Sequence, residues 1–109
     1  MEDLKRYIRE VPDFPKPGIN FFDITTLLKD PDAYREGIDL MLEPYVDKGI
    51  DIVVGMESRG FIFSAPMAYL LDAGLVPVRK LGKLPAETIT VEYALEYGSN
   101  TLEIHRDAI

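Results

Sequence analysis

Cysteine and tryptophan are missing from this chain, and histidine occurs once, as His105. Without cysteine there are no disulfides and no thiolate metal sites. A single histidine provides no histidine metal cluster and argues against a Ser-His-Asp triad. No apolar run approaches the roughly 18–20 residues of a membrane-spanning helix. The N-terminus lacks the basic-then-apolar layout of a signal peptide, so the expected compartment is the cytoplasm. Positive charge is in short supply: 12 Lys and Arg face 19 Asp and Glu, a net charge of −7. That balance argues against general binding to nucleic acid or anionic membranes. Internal repeats and low-complexity tracts are also absent. An apolar fraction of 47% remains, ordinary for a soluble globular chain. The 109 residues have room for one domain. A chain this short buries a modest share of its surface, so marginal stability is expected unless another surface covers it.

The most informative segment is Val53-Val54-Gly55-Met56-Glu57-Ser58-Arg59-Gly60. An apolar run starting at Ile52 reaches a glycine, turns through an acid, a serine and an arginine, and enters a helix-like stretch. Such a turn offers unpaired N–H groups at the positive end of a helix. With Arg59 added, it is a candidate site for phosphate or pyrophosphate. About twenty residues later, Val76-Pro77-Val78 reads as a second short strand. Arg79, Lys80 and Lys83 follow it around Gly82, a pattern that suits a mobile loop closing over a polyanion. In so acidic a chain a local basic cluster is informative. A strand–helix–strand order implies a parallel sheet, and its ligands bind at the carboxyl ends of the strands. Both turns leave strand ends on that side, so one shared anion site is expected.

Other elements follow from local patterns. Leu4, Tyr7, Ile8 and Val11 have helical spacing, which predicts a short amphipathic helix over 2–10. Pro12, Pro15 and Pro17-Gly18 then impose an extended segment with a turn. Asp30-Pro31 is a helix start, with Tyr34, Ile38, Met41, Leu42 and Tyr45 lining one face and Pro44 ending or kinking the helix. Strands are expected over 51–56 and 75–79, with a helix over 60–72 closed by Ala73-Gly74. From Ile89 to Tyr97 the odd positions are apolar, as in a strand with one buried face. Gly98-Ser99-Asn100 reads as a turn, and Leu102–His105 as an antiparallel return.

These motifs together closely resemble the adenine phosphoribosyltransferase family, of the type I phosphoribosyltransferases. Phe14-Pro15-Lys16-Pro17-Gly18 with Phe21-Phe22-Asp23-Ile24-Thr25 resembles the family's base-binding segment. Val54–Phe61 is similar to its pyrophosphate loop, and Val78–Pro85 to the start of its flexible loop. Leu95-Glu96-Tyr97-Gly98 resembles the segment over the reacting centre. The resemblance runs along the whole chain, yet the family's ribose-phosphate signature, two acids and a Thr-Gly-Gly-Thr loop, does not occur. The expected fold is therefore an incomplete α/β phosphoribosyltransferase domain with a parallel sheet and a flexible β-hairpin loop. Residues 1–30 would be the base-binding segment and 31–109 the front of the core.

The resemblance implies transfer of a 5-phosphoribosyl group from phosphoribosyl pyrophosphate to adenine, giving AMP and pyrophosphate. It assigns Glu57, Ser58, Arg59, Arg79, Lys80 and Lys83 to the pyrophosphate, and Asn20 and Phe22 to adenine, largely through main-chain groups. Phe22 stands where many relatives carry arginine, and Phe21-Phe22 could equally be core or an interface patch. Glu96 and Tyr97 are the catalytic candidates, although Tyr97 is in register to pack on the apolar face. Magnesium would arrive with phosphoribosyl pyrophosphate, and the chain offers no carboxylate cluster suited to a protein metal site. A homodimer is implied, with no nucleic-acid or membrane partner. The alternative is a catalytically incomplete fragment, or a non-catalytic purine- or anion-binding subunit lacking the ribose-phosphate loop.

Overall fold

The computed structural model describes residues 3–95 and 98–109. They divide into two compact units, Met1–Glu43 and Pro44–Ile109.

The first unit opens with a 3-10 turn, Leu4–Tyr7, capped by the Asp3 carboxylate on the Lys5 N–H at 3.1 Å. It continues into β1 (Arg9–Pro12), so the expected helix over 2–10 is not formed. Pairing wins over helical spacing here. β1 runs antiparallel to β2 (Asn20–Asp23), with Arg9 opposite Asp23 and Pro12 opposite Asn20. The Arg9 guanidinium locks that register by donating to Asp23 at 3.0 Å. Asp23 also accepts from the Thr25 N–H at 2.9 Å, where α1 (Thr25–Leu28) begins. The Thr25 N–H and the Arg9 guanidinium hold the Asp23 carboxyl at about 2, below its ordinary 3.8. The proline-rich connection closes on itself through Gly18 N–H to Asp13 at 2.9 Å and Phe14 N–H to the Ile19 carbonyl at 3.1 Å. Gly18 sits at φ +90°, a conformation that favours glycine.

Asp30 caps α2 (Pro31–Leu42) by accepting from Asp32 and Ala33 N–H at 3.1 and 2.9 Å, with Pro31 in the first turn. The helix ends at Leu42, and a 3-10 turn over Glu43–Tyr45 absorbs Pro44. Its buried residues are Ala33, Ile38 and Leu42, which join Leu27 of α1 in the core, while Met41 and Tyr45 are exposed. The expected apolar stripe is thus rotated toward Ala33.

The second unit is a four-stranded sheet in the order β3 (Ile52–Met56), β4 (Gly74–Lys80), β6 (Gly98–His105), β5 (Thr88–Leu95). β3 and β4 pair in parallel through the crossover helix α3 (Arg59–Leu71), while β6 pairs antiparallel with both β4 and β5. The sheet is therefore mixed. The pairs Ile89↔Ile104 and Val91↔Leu102 set the β5–β6 register. That register draws Gly98–Asn100 into β6 rather than leaving them as a turn. At the end of α3 the left-handed position is taken by Asp72 (φ 57°) and not by glycine. An Asp tolerates that conformation. Gly74 is already in β4, its N–H donating to the Asp51 carbonyl at 2.9 Å.

α3 seats on β3 through Ser64 and Ala68, both buried. Gly55 makes that approach possible, since a Cβ there would lie 2.0 Å from Ser64 Oγ. On the far side of the helix Tyr69 is 84% exposed. Alternate residues of β3, Ile52, Val54 and Met56, are also exposed, as are Ile89 and Val91 of β5. Among the described residues, no helix is long and apolar enough to cross a membrane.

Candidate functional site

The carboxyl end of β3 carries a cluster of charged side chains. β3 stops at Met56, and Glu57 N–H donates to the Val78 carbonyl of β4 at 2.8 Å. The turn is thereby tied to the neighbouring strand before α3 starts at Arg59. Ser58 occupies the cap position, but its side chain makes no capping bond; its carbonyl accepts from Phe61 N–H at 3.1 Å. Ser58 and Arg59 are both exposed at the helix start.

Glu57 turns its side chain toward β4, and that side chain is only 7% exposed. Oε1 accepts from Arg79 Nε and from the Lys80 main-chain N–H, each at 3.0 Å. Oε2 meets Lys83 Nζ at 3.2 Å. The Lys80 N–H is the chief reason its carboxyl is held at about 2, below the ordinary 4.5, with Lys83 and Arg79 adding to it against the cost of burial. Arg79 and Lys80 end β4. Lys83 follows a tight turn in which its N–H donates to the Lys80 carbonyl at 3.3 Å and Gly82 takes φ +84°. A glycine at that point is what a type II turn demands.

Four of the six residues assigned by sequence to the pyrophosphate, Glu57, Arg79, Lys80 and Lys83, therefore converge. Ser58 and Arg59 lie on the adjoining helix start. The Glu57 carboxylate itself faces the cations and holds Arg79 and Lys83. Lys80 contributes its main chain to that cluster.

The two adenine candidates share β2 of the first unit. Asn20 donates its side-chain amide to Glu10 at 3.1 Å. Strand alternation separates the neighbouring aromatics. Phe21 turns to Phe14, with ring centroids 5.1 Å apart in an edge-on contact. Phe22 is 57% exposed and lines a cavity of about 480 Å³ with Lys5, Ile8 and Glu10. Glu96 and Tyr97 lie outside the described residues. Among the described residues, no three His, Asp or Glu side chains gather as a metal site.

The sequence reading missed Glu103. It is buried in β6 under the β4–β5 connection and binds main-chain amides there. Its position in an alternating strand marks it as polar, and nothing local reveals that a loop folds over that face.

Comparison with known proteins finds similarity to adenine phosphoribosyltransferases. The adenine phosphoribosyltransferase of Cyanothece sp. is 64% identical over 107 residues, which cover 98% of this chain and 63% of that protein. Nearly the whole of this chain is thus similar to part of an adenine phosphoribosyltransferase. The crystal structure of the adenine phosphoribosyltransferase from Thermoanaerobacter pseudethanolicus superposes with a TM-score of 0.87 at 53% identity, covering 96% of this chain and 61% of that one. The Saccharomyces cerevisiae adenine phosphoribosyltransferase, complexed with an imino-altritol bisphosphate and adenine, gives a TM-score of 0.84 at 44% identity, covering 97% and 62%. The chain thus spans about three fifths of the length of the adenine phosphoribosyltransferases it matches. No protein-family model matches it.

Proposed function

We propose that this chain supplies the adenine-binding and pyrophosphate-binding parts of an adenine phosphoribosyltransferase. That enzyme transfers the 5-phosphoribosyl group from phosphoribosyl pyrophosphate to adenine, releasing pyrophosphate and forming AMP, a purine-salvage reaction. The observation that carries the reading is the convergence of Arg79, Lys80 and Lys83 on Glu57 at the end of β3, beside the Arg59 start of α3. Loss of a polyanionic leaving group is helped by cations and N–H donors fixed before charge develops. Glu57 does this fixing without ligand, holding two of the cations in place. The approaching pyrophosphate takes Arg59 and the α3 N-terminus on one side, and Arg79 and Lys83 on the other.

Adenine is assigned to β2. A strand at a ribbon edge keeps main-chain donors and acceptors for a ligand. Those of Asn20 and Phe22 suit the Watson–Crick edge of a base, and the exposed Phe22 ring suits its face. Glu96 and Tyr97 are assigned by resemblance to the proton lost from the base and to closure over it. Magnesium is assigned to the phosphoribosyl pyrophosphate it enters with. The one acid inside the cation cluster, Glu57, is already committed to Arg79, Lys80 and Lys83. A cytoplasmic homodimer completes the proposal, supported by the exposed apolar residues of β3, β5 and α3.

Titration with inorganic pyrophosphate tests the anion site. Arg59→Ala should weaken binding by about 1.5–3 kcal/mol, the scale of a hydrogen bond to a charged group. Affinity should fall with added salt. Equal affinity in variant and parent would rule the assignment out.

A further inference from the structure

A second carboxylate binds the segment that carries Lys83. Glu103 lies within β6 and is 5% exposed. Its Oε1 accepts from the main-chain N–H of Gly82 at 3.0 Å and of Leu84 at 3.4 Å. Its Oε2 accepts from Thr88 Oγ1 at 3.3 Å. A carboxylate taken from water must recover its hydrogen bonds from the protein, and here the donors come from the β4–β5 connection. The two amides it binds stand immediately before and after Lys83. The Lys83 ammonium meanwhile reaches Glu57 at 3.2 Å. The two acids divide the work: Glu103 holds the main chain on both sides of Lys83, and Glu57 holds its charged end.

We propose that Glu103 is a positioning residue for Lys83, fixing the loop so that the ammonium group is delivered to the anion site at the end of β3. This rests on the reading of that site given above. Glu103 donates nothing to an anion, so its influence on anion binding passes through Lys83. What it supplies is an acceptor, not a charge. Both amides share Oε1, so a carboxamide keeps them, and the Thr88 hydroxyl can turn to accept from its NH₂. Alanine keeps neither.

The test measures amide hydrogen exchange at Gly82 and Leu84 and the affinity for inorganic pyrophosphate. The variants are Glu103→Ala, Glu103→Gln, Lys83→Ala and the double Glu103→Ala/Lys83→Ala. Glu103→Ala should speed exchange at Gly82 and Leu84 about tenfold or more while leaving β3 amides unchanged. It should also weaken pyrophosphate binding about fivefold. Glu103→Gln should stay within about twofold of the parent in both readouts. In the Lys83→Ala background, Glu103→Ala should cost nothing further, because the two act in one chain of contacts. Unchanged exchange in Glu103→Ala overturns the proposal. So does an equal affinity loss with and without Lys83, the sign of general loosening. Should the alanine variant unfold, Glu103→Gln decides: an affinity loss there with protection of Gly82 and Leu84 kept overturns the proposal. Failure of the site reading has a different signature, with Arg59→Ala and Lys83→Ala both binding pyrophosphate like the parent, and the inference then falls with it.

Discussion

Replacing Gly55 by alanine probes the seating of α3 on β3. The added Cβ would lie 2.0 Å from Ser64 Oγ, 2.8 Å from Ser64 Cβ and 3.3 Å from Phe61 Cδ1. The hydroxyl can rotate to another rotamer, but the Ser64 Cβ is fixed to the helix backbone. Bringing two carbons from 2.8 Å to a comfortable distance of roughly 3.5 Å moves α3 outward by about 0.7 Å. A gap of that size forfeits a quarter to a half of the dispersion contact along the interface, where Ser64 and Ala68 are buried. Overpacking of this kind costs about 1–3 kcal/mol. Relief of a mid-strand glycine returns roughly 0.5–1 kcal/mol. A net loss of about 1–2 kcal/mol is expected by urea denaturation. Ser64 supplies the control. Among the described residues its buried Oγ has no hydrogen-bond partner, so Ser64→Ala alone should be neutral or slightly stabilising. In the double variant Gly55→Ala/Ser64→Ala the hydroxyl clash is gone but the 2.8 Å contact with Cβ persists, so recovery is partial. Gly55→Ala/Ser64→Gly removes both clashing atoms at a helix-propensity cost of about 0.5 kcal/mol. A Gly55→Ala variant as stable as the parent, or strict additivity with the Ser64 variants, would refute the close-approach argument.

Two more outcomes can be measured. Glu57 is held at about 2 against an ordinary 4.5, so its stabilising contribution is complete above pH 4.5 and fades as pH falls toward 2. Glu57→Gln should flatten the acid limb of the stability curve in that window and leave the part due to Asp23, itself held at about 2; superimposable curves would contradict the contact set. Asp30→Ala, which strips two N–H groups of their cap at the start of α2, should cost about 0.5–2 kcal/mol by denaturation. An unchanged midpoint would show that the cap carries no weight.

What the sequence disclosed follows from how local each signal is. Asp30-Pro31 names a helix start because cap, proline and first turn are neighbours in the chain. The β3–turn–α3 joint and the basic end of β4 are equally local, and they led to the cation cluster. Signals that depend on a distant partner misled or were silent. Leu4, Tyr7, Ile8 and Val11 have helical spacing, yet Arg9–Pro12 finds a strand partner in Asn20–Asp23 and takes it. Gly98–Asn100 has turn chemistry, but the register demanded by Ile89↔Ile104 extends β6 through it. Ala73-Gly74 looked like a helix stop, while Asp72 one step earlier took the left-handed position. That the Glu57 carboxylate faces Arg79 and Lys83 depends on the β3–β4 pairing and has no local signal. Glu103 gave no signal at all, because its value lies in a loop that returns over it.

The Glu57 carboxylate also sets a threshold for what can occupy the site. It acts as a resident anion, competing for Arg79 and Lys83 with anything that arrives from solvent. A monovalent ion such as chloride brings no more charge than the carboxylate it would displace, and that carboxylate, only 7% exposed, is already held by both cations. A diphosphate brings several charges and many acceptor oxygens, enough to draw on both cations while the carboxylate keeps its bond to the Lys80 N–H. If the cluster takes pyrophosphate as proposed, its selectivity over the abundant small ions of the cell needs no dedicated filter. It follows from exchange against an internal rival of known charge.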